Sequence, residues 1–483
     1  MEAESENFLQ YHEPGIVEVL IIVSFFTFLS LAEHFSAIFI RAGIIGPIVV
    51  GIIYGVPLAN ILEHNWQETF LALGYIGLIL IIFEGGLTAR LDLLKANFVL
   101  SMCGAATGVI LPISLSYMLL FLGFGYGAVE TFIIGAALSA TSLGTTFAVI
   151  SGASKSVDLA QTRVGAVLVS AAVIDDVTGL VMSSVISQLG KLSGGGNQPN
   201  LGWLIGRPIL ASALMAILTP VLSKYVFAPF FRRYLERRFA KYDHLSNIVL
   251  MILVLSAFLS VAAYAGTSVL FGAFLAGSFL TYLPSKHPEG PFVVMSREEG
   301  EREKHKSPTF VHTFECYVLD ALQYVLGPLF FASIGFAIPF VQLWTGEAIW
   351  KGVVYTLLML IGKVVVGFWL PIWQLFKREQ GNDEEKPEAA TDSSKGGLVS
   401  RLKPALQPAL LLGFAMVARG EIGLLIVQIG YNETSYVSEA GFLTAIWAIL
   451  LNTILGPIAV GLLVKYRGQR IGEGEWGLVK KDS

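Results

Sequence analysis

Charged residues are scarce in this chain. Only 14% of its 483 residues are Asp, Glu, Lys or Arg, whereas 54% are hydrophobic. Soluble domains carry about 25% charged residues, so this sequence has too little charge to cover a water-exposed surface. The apolar residues lie in blocks about 20 residues long, the length of helix that crosses the ~30 Å hydrocarbon core of a bilayer. The composition predicts an all-α protein that crosses a membrane many times.

Cysteine is equally rare, since only Cys103 and Cys316 are present. Two cysteines provide neither a disulfide framework nor a CxxC metal motif. The net charge of −4 is too small to indicate a nucleic-acid partner. The acidic first residues, MEAESENFLQYHEP, lack the positively charged segment of a secretory leader. We therefore expect a membrane protein with no cofactor and no nucleic-acid partner.

Thirteen apolar segments are predicted to span the membrane as one transmembrane domain, residues 16–464. Their predicted limits are 16–40, 43–61, 69–86, 98–123, 130–150, 164–189, 203–228, 246–264, 268–284, 318–340, 349–375, 407–430 and 440–464. The longest hydrophilic connections are residues 285–317 and 377–406, and residues 465–483 form a tail. The stretch GNDEEKPEAATDSSKGG is typical of a disordered linker.

Lys and Arg are distributed unevenly between the two sides of these spans. The connections after odd-numbered spans, together with the tail, contain 27 of the 32 Lys and Arg residues. The opposite side has only Lys191, Arg207 and Lys351, in a connection or at the start of a span, and Lys363 and Arg419 lie inside spans. Because basic residues accumulate on the cytoplasmic side, residues 1–15 are predicted to be external and the tail cytoplasmic. The plasma membrane and internal membranes are both compatible with this pattern.

Two adjacent aspartates, Asp175 and Asp176, lie at the centre of the sixth span. Ionisable groups at that depth cost about 2.5–3.5 kcal/mol each on insertion scales, and they mark a pathway or a buried pair. Neighbouring helical residues point about 100° apart, so the two carboxylates face different neighbours. Asp176 shares a small, polar stripe with Gly179 and Ser183, which suits a hydrated cleft. Such a pair can hold a proton or a cation; a structural pair bonded to other helices is the alternative.

Three further charged residues are singled out because they lie in the middle of spans. Lys363 in the eleventh span has no acid nearby on its own helix, so it needs a carboxylate from another helix, and Asp175 is the candidate. Arg419 and Glu421 flank Gly420 in the twelfth span, which predicts a broken helix against protein or a water-filled cavity. These two residues form either an ion pair that holds helices together or a part of the transport site.

Glycines and hydroxyl residues, including Thr141 and Ser142, crowd the fifth span, GAALSATSLGTTFAVI. This composition disfavours a continuous helix, and unwound carbonyls and hydroxyls are suitable ligands for small alkali cations. Hydroxyls bonded back to their own helix are the alternative. The fifth and twelfth spans are seven spans apart and therefore antiparallel. The fourth to sixth and eleventh to thirteenth spans are predicted to be inverted repeats whose broken helices cross at the membrane midplane.

Four motifs occur in the order SATSLGTTFAVI, AAVIDDVTG, IGKVVVG and MVARGEIGLL, and FEGGLTARLDLLKAN precedes them. With these motifs the chain resembles the monovalent cation:proton antiporter superfamily, in its sodium/proton exchanger branch with paired aspartates, over roughly residues 17–465. The resemblance implies a core of six helices with crossed broken helices, at residues 98–189 and 349–464. It also implies a dimerisation scaffold at residues 16–86 and 203–340.

By position, the resemblance implies that Asp176 binds the transported alkali cation and exchanges it for protons. Asp175 pairs with Lys363 when the cation is absent, and Thr141 and Ser142 fall at the unwound stretch. Some relatives carry an acid where this chain has Ser142, so the stoichiometry of exchange is left open. A homodimer surrounded by membrane lipid is also implied.

The predicted function is exchange of protons for sodium or lithium by alternating access, which makes the protein a secondary transporter and not an enzyme. Potassium/proton antiport is the nearest alternative. A channel or an organic-anion carrier on the same scaffold is less favoured, because neither needs paired aspartates that face a lysine at mid-membrane. A membrane-embedded aspartyl enzyme is disfavoured because such proteases take their aspartates from two different spans.

Overall fold

In the computed structural model, most of the described residues are helical. They comprise residues 13–89, 97–142, 162–192, 201–235, 243–283, 309–381, 398–473 and 476–477. Within these ranges no β-strand is formed, as the apolar blocks of the sequence predict.

Sixteen helices of eight residues or more follow one another in the described part of the chain. They are α1 (Ile16–Phe39), α2 (Ile45–Tyr54), α3 (His64–Thr88), α4 (Phe98–Ser116), α5 (Ala128–Ser139), α6 (Arg163–Leu192), α7 (Leu201–Leu222), α8 (Asp243–Ala265), α9 (Val269–Thr281), α10 (Phe310–Tyr317), α11 (Gly327–Phe336), α12 (Gly346–Val364), α13 (Trp369–Gly381), α14 (Leu398–Ala415), α15 (Glu421–Asn432) and α16 (Glu439–Glu473). Turns of π- or 3₁₀-helix extend several of them, including Tyr117–Gly123 after α4 and Val365–Phe368 between α12 and α13.

Nine helical segments among the described residues are long and apolar enough to cross a membrane. Four shorter apolar helices alternate with them: Ile45–Tyr54, Ala128–Ser139, Val269–Thr281 and Ala405–Ala415. Each of the four overlaps one of the predicted spans. The fold is the all-α polytopic membrane fold expected from the sequence, and the count of thirteen crossings stays a prediction.

Several helices extend beyond the predicted spans. Helix α10 lies inside the predicted connection 285–317, where the Thr309 side chain accepts a hydrogen bond from the backbone N–H of His312 and starts the helix. Phe310 and Phe314 on this helix are buried, so packing stabilises a segment that hydropathy alone assigns to a loop. Helices α13 and α14 likewise enter the predicted connection 377–406, and the predicted linker between them lies outside the described residues.

Glycines allow the membrane helices to pack backbone against backbone. A Cβ atom at Gly86 of α3 would overlap the carbonyl oxygen of Phe274 of α9, and one at Gly277 would overlap Phe83 in return. Lipid is as apolar as the helix surfaces, so the hydrophobic effect does not drive these helices together. Close backbone packing of this kind stabilises their association instead.

The packing divides the helices into two groups. Helices α1–α3 and α8–α11 pack on one another, whereas α4–α6 and α12–α16 form a second set. Gly367 and Gly413 bring the α12–α13 junction against α14 in that second set. Helix α7 packs on α9 of the first group and makes the chief contact with the second group, through α6. This grouping follows the predicted scaffold and core, whose division into domains remains a prediction.

Substitution of Gly86 by alanine is expected to destabilise the protein by about 1–3 kcal/mol, because the methyl group overpacks a backbone contact that has no flexible side chain to move. Gly85 is the matched control, since a Cβ there meets nothing within 4 Å. Gly85→Ala is expected to be neutral or to stabilise the helix by up to about 1 kcal/mol. Thermal unfolding in detergent measures both, and equal unfolding temperatures for the two variants would contradict this packing.

Candidate ion site

Two helix breaks lie in the second group of helices. Helix α5 ends at Ser139, and Ala140 after it has extended backbone angles (φ −61°, ψ 143°). Residues 416–420 separate α14 from α15 and form the second break. Residues 143–161, which include the rest of the predicted fifth span, lie outside the described residues.

The backbone groups at the two breaks are bonded to each other. The N–H of Ser142 donates to the carbonyl oxygen of Ala418 at 2.8 Å. The Arg419 Nη1 atom donates to the carbonyl oxygen of Ala140, also at 2.8 Å. Thr453 of α16 donates its hydroxyl to the Arg419 carbonyl oxygen at 2.9 Å. Because polar backbone without a partner is costly inside a membrane, these bonds allow both helices to stop at mid-span.

Lys363 of α12 reaches across to Asp175 of α6 beside these breaks. Its Nζ atom lies 2.8 Å from Asp175 Oδ2, and both side chains are fully buried. The same Nζ atom donates to Thr141 Oγ1 at 3.0 Å, and the Thr141 hydroxyl in turn donates to Asp175 Oδ2. A Cβ atom at Gly108 of α4 would lie 3.2 Å from Nζ, so the absence of a side chain there leaves room for the ammonium group. The structure therefore brings together three of the residues singled out by the sequence.

Asp176 has a different environment from its neighbour. Asp175 is fully buried, whereas Asp176 is partly exposed. The Oδ1 atoms of both aspartates are buried and have no hydrogen-bond partner among the described residues, but only Asp175 is paired with a base there. Glu421, Asp175 and Lys363 all lie close enough for their charges to act on Asp176. Asp176 is thus a carboxylate with an unused oxygen, next to an ion pair that neutralises the adjacent acid.

Arg419 and Glu421 form no ion pair with each other, which was one of the two arrangements that the sequence left open. The fully buried Arg419 bonds to the Ala140 carbonyl oxygen, and its Nε and Nη2 atoms have no hydrogen-bond partner in the described part of the chain. Glu421 begins α15, and its charge acts on Asp176. The break turns the chain between the two residues, so the guanidinium bonds to the end of α5 while the carboxylate lies by Asp176.

Ser142 lies at the break that follows α5. Its side chain is buried against Gly420, where an added Cβ atom would lie 2.6 Å from Ser142 Oγ. Gly420 is therefore required for the close approach of the two breaks, and Ser142 lies in that contact.

Sequence reasoning missed a buried carboxylate near the start of α5. Glu130 Oε2 accepts a hydrogen bond from the Gly127 N–H at 3.2 Å and so caps its own helix. Its Oε1 atom accepts from the Ser438 N–H at 2.9 Å and from the Ser438 hydroxyl at 2.5 Å, just before α16 begins. One side chain thus bonds at the starts of two helices, α5 and α16, that are about 300 residues apart in the sequence. Its position in the first turn of a helix is the signal that suggests a capping role.

Tyr355 of α12 was also missed. Its hydroxyl lies 2.6 Å from Ser116 Oγ, and the side chain is fully buried. The charge of Arg419 acts on this hydroxyl. Nothing in the spacing of the sequence distinguishes Tyr355 from an aromatic residue that faces lipid.

Residues 20–466 match the family described as the transmembrane sodium/hydrogen exchanger. The chain belongs to this family. Exchange of protons for monovalent cations across a membrane, the function predicted from the sequence, is thereby confirmed. The nine apolar helices agree with an integral membrane protein.

Several relatives of this exchanger bear related names. A Na(+)/H(+) antiporter of Enterococcus hirae is 26% identical over 451 residues, which are 92% of this chain and 96% of the relative. The high-affinity Na(+)/H(+) antiporter NhaS3 of Synechocystis is 24% identical, over 81% of this chain and 70% of the relative. The Na(+)/H(+)-K(+) antiporter GerN of Bacillus cereus is also 24% identical, over 88% and 91% respectively.

Among solved structures, the exchanger is similar in fold to the sodium proton antiporter MjNhaP1 of Methanocaldococcus jannaschii. The two structures align with a TM-score of 0.56 and 16% sequence identity, over 93% of this chain and 97% of the other. At this level of identity the likeness concerns the fold alone.

Breaking the buried ion pair on one side is expected to destabilise the exchanger strongly. Lys363→Met and Asp175→Asn each remove one partner of a fully buried pair, an event that costs about 3–5 kcal/mol. The double variant is expected to lose less than the sum, with an interaction energy of about 1–3 kcal/mol. Unfolding in detergent measures all three variants.

Lys351 and Glu347 provide the matched control pair. They lie on the same helix as Lys363, with Nζ 2.6 Å from Glu347 Oε1, but the Glu347 side chain is 67% exposed. Glu347→Gln, which removes the exposed partner, is expected to change stability by only about 0.3–0.5 kcal/mol. Additive losses at the Lys363–Asp175 pair would show that this contact is not an energetic unit.

Proposed function

We propose that this exchanger binds sodium at Asp176 and returns protons through the same carboxylate. Lithium is expected to replace sodium, and Thr141 and Ser142 lie at the break that borders the site. The observation that carries the proposal is the contrast between the two aspartates. Asp175 is fully buried and its Oδ2 atom is paired with Lys363, whereas Asp176 is partly exposed and has no ion-pair partner among the described residues.

The charges around the site favour one positive occupant at a time. The residues whose charges act on one another are three carboxylates, from Asp175, Asp176 and Glu421, and two bases, from Lys363 and Arg419. With all five ionised, the set carries one net negative charge. A monovalent cation or a proton on Asp176 brings it to neutrality, and the two therefore compete for one carboxylate.

Competition at this site couples the two fluxes. A site with a net charge is costly to carry through an apolar barrier, so the occupied, neutral forms cross it more readily than the empty one. A cation that binds on one side is then exchanged for a proton from the other. We propose that the core, residues 98–189 and 349–464, moves against the scaffold, residues 16–86 and 203–340, in an elevator-like cycle.

Asp176→Asn is expected to abolish exchange, because the amide neither carries a proton nor attracts a cation by charge. Thr178→Val is the matched control, since within the described part of the chain the Thr178 hydroxyl bonds only to the Ile174 carbonyl oxygen of its own helix, at 2.7 Å. Purified protein in liposomes with an inside-acid gradient and a lumenal pH dye reports proton movement on addition of sodium, lithium, potassium or choline. Full exchange in a folded Asp176→Asn variant would overturn the assignment of the site.

The same assay separates sodium from potassium as the substrate. Dequenching with sodium and lithium, and none with choline, is the expected result for the wild type. Dequenching with potassium at equal strength would favour the Na(+)/H(+)-K(+) exchange for which the relative GerN is named. Repeating the assay with the membrane potential clamped reads the electrogenicity of exchange.

We further propose a homodimer in membrane lipid, with an external N-terminus and a cytoplasmic tail. The asymmetric distribution of Lys and Arg supports this orientation. Glu63, before α3, and Arg467, near the end of α16, are both exposed and mark the two sides. After replacement of Cys103 and Cys316 by alanine, a cysteine at position 63 is expected to react with a membrane-impermeant maleimide in intact cells. One at position 467 is expected to react only after permeabilisation, and the reverse result would invert the topology.

A further inference from the structure

A cavity of about 490 Å³ lies between the two groups of helices, away from the Lys363–Asp175 pair. Helices α6 and α15 supply one wall, with Ser183, Ser187, Gln428 and Glu433 among the lining residues. Helices α3, α8, α9 and α11 and the α8–α9 turn supply the other wall, with Tyr75 opposite. The cavity therefore lies where the proposed core and scaffold face each other.

The cavity has a buried floor and an exposed rim. Ser183 and Ser184 are buried, whereas Asn432 and Glu433 are exposed. The floor points toward the ion site, because Ser183 and Ser187 lie seven and eleven residues after Asp176, on the same face of α6. Seven residues of helix separate Asp176 from Ser183 by about 10 Å.

An apolar contact separates this floor from Asp176. A Cβ atom at Gly179 would lie 3.1 Å from Ile422 Cγ2 and 3.5 Å from the Cβ of Ala140. Ile422 and Ala140 are both buried. Asp176 does not line the cavity. The apolar contact at Gly179 therefore lies between the cavity and the proposed ion site.

Glu433 is the single charged residue among the described residues that line the cavity. Its Oε2 atom accepts a hydrogen bond from Ser187 Oγ at 3.3 Å, and its charge acts on the Tyr75 hydroxyl of α3. The nearby guanidinium of Arg207 donates to the carbonyl oxygens of Tyr264 and Ala265 at the end of α8. A cation that enters the cavity thus meets one carboxylate and a row of neutral oxygens.

The backbone at Glu433 is firmly positioned. A Cβ atom at Gly190 of α6 would lie 2.5 Å from the Glu433 carbonyl oxygen, so α6 packs directly on this residue. Thr434 donates its hydroxyl to the Gly430 carbonyl oxygen at 2.5 Å and accepts from the Tyr436 N–H at 3.2 Å. A carboxylate held on rigid elements can act at a defined place in the pathway.

We propose that Glu433, with the hydroxyl of Ser187, forms a first binding site for cations that enter this cavity on their way to Asp176. The inference rests on the proposed function and adds to it a residue that sets the apparent affinity from one side of the membrane. Carboxylate and hydroxyl oxygens are suitable ligands for an alkali cation, and a negative charge in a cleft with low-dielectric walls raises the local cation concentration. The effect of Glu433 is therefore on capture and not on the exchange step.

Transport kinetics test the proposal with sodium as the probe. Glu433→Gln is expected to raise the apparent KM for sodium by about three- to tenfold, with little change in kcat, when sodium is on the side to which the cavity opens. The increase is expected to shrink as choline chloride raises the ionic strength, because salt screens an exposed charge. Sodium offered from the opposite side is expected to show no change in KM.

Glu439→Gln is the matched control, because Glu439 is exposed near the same end of the fold but does not line the cavity. Its KM for sodium is expected to equal that of the wild type. Equal KM values for Glu433→Gln and Glu439→Gln would overturn the proposal. So would an equal increase from both sides of the membrane, since a general structural defect produces that pattern.

A labelling experiment tests the same site without transport. Gln188 lines the cavity next to Ser187, so a cysteine at position 188, with Cys103 and Cys316 replaced by alanine, reports the potential there. The rate ratio of a cationic to an anionic methanethiosulfonate reagent is expected to fall by about three- to tenfold in the Glu433→Gln background. An unchanged ratio would overturn the proposal.

The two experiments also distinguish failure of this inference from failure of the proposed function. Absence of sodium-dependent proton movement in the wild type would overturn the function, whereas the labelling ratio would still decide the role of Glu433. Normal exchange with an unaltered labelling ratio would leave the function standing and remove Glu433 from the pathway.

Discussion

A helix that stops inside a membrane leaves backbone N–H and C=O groups without partners, and this constraint shapes the centre of the exchanger. Water is the usual partner at helix ends, but it is absent from the hydrocarbon region. Here the break after α5 and the break before α15 satisfy each other, through Ser142 with Ala418 and Arg419 with Ala140. The proposed ion site depends on these hydrogen bonds between the breaks, because Thr141 lies in one break and Glu421 follows the other.

The two adjacent aspartates perform different tasks because the helix turns their carboxylates toward different neighbours. Asp175 belongs to a closed group with Lys363 and Thr141, in which both charged side chains are fully buried. Asp176 keeps an oxygen without a partner among the described residues, while charges of both signs act on it. A buried base thus cancels one acid, and the other is the carboxylate to which we assign the exchange of cation and proton. The same lysine that stabilises the fold also keeps the site from carrying a second uncompensated charge.

Much of this arrangement could be predicted from the sequence. A charged residue inside an apolar span is energetically costly, so its presence there indicates a functional or paired group. Asp175, Asp176 and Lys363 were found in this way, and the need of a buried lysine for a carboxylate suggested its partner. The contacts of Arg419 could not be found in the same way. Proximity in sequence suggested an ion pair with Glu421, but the break directs the guanidinium to the Ala140 carbonyl oxygen instead.

The cavity, helix α10 and Tyr355 could not be predicted from the sequence, because none of them is marked by a charge inside an apolar span. The cavity beside Glu433 depends on how α6 and α15 approach the other helices, and no single segment carries that information. Helix α10 was hidden because its polar residues lower its hydropathy, although Phe310 and Phe314 are buried. Tyr355 carries no charge, so nothing in an apolar span separates it from residues that face lipid.

The long-range contacts of the two buried acids have a consequence for how the chain is made. Glu130 bonds to Ser438, 308 residues later, and Asp175 bonds to Lys363, 188 residues later. A chain inserted from its N-terminus as it is synthesised therefore carries both acids into the bilayer before their partners exist. The first repeat must remain incompletely assembled until the ribosome has completed the second. Assembly of the ion site is accordingly among the last steps in the biogenesis of this protein, and a truncated chain lacks the residues that would close it.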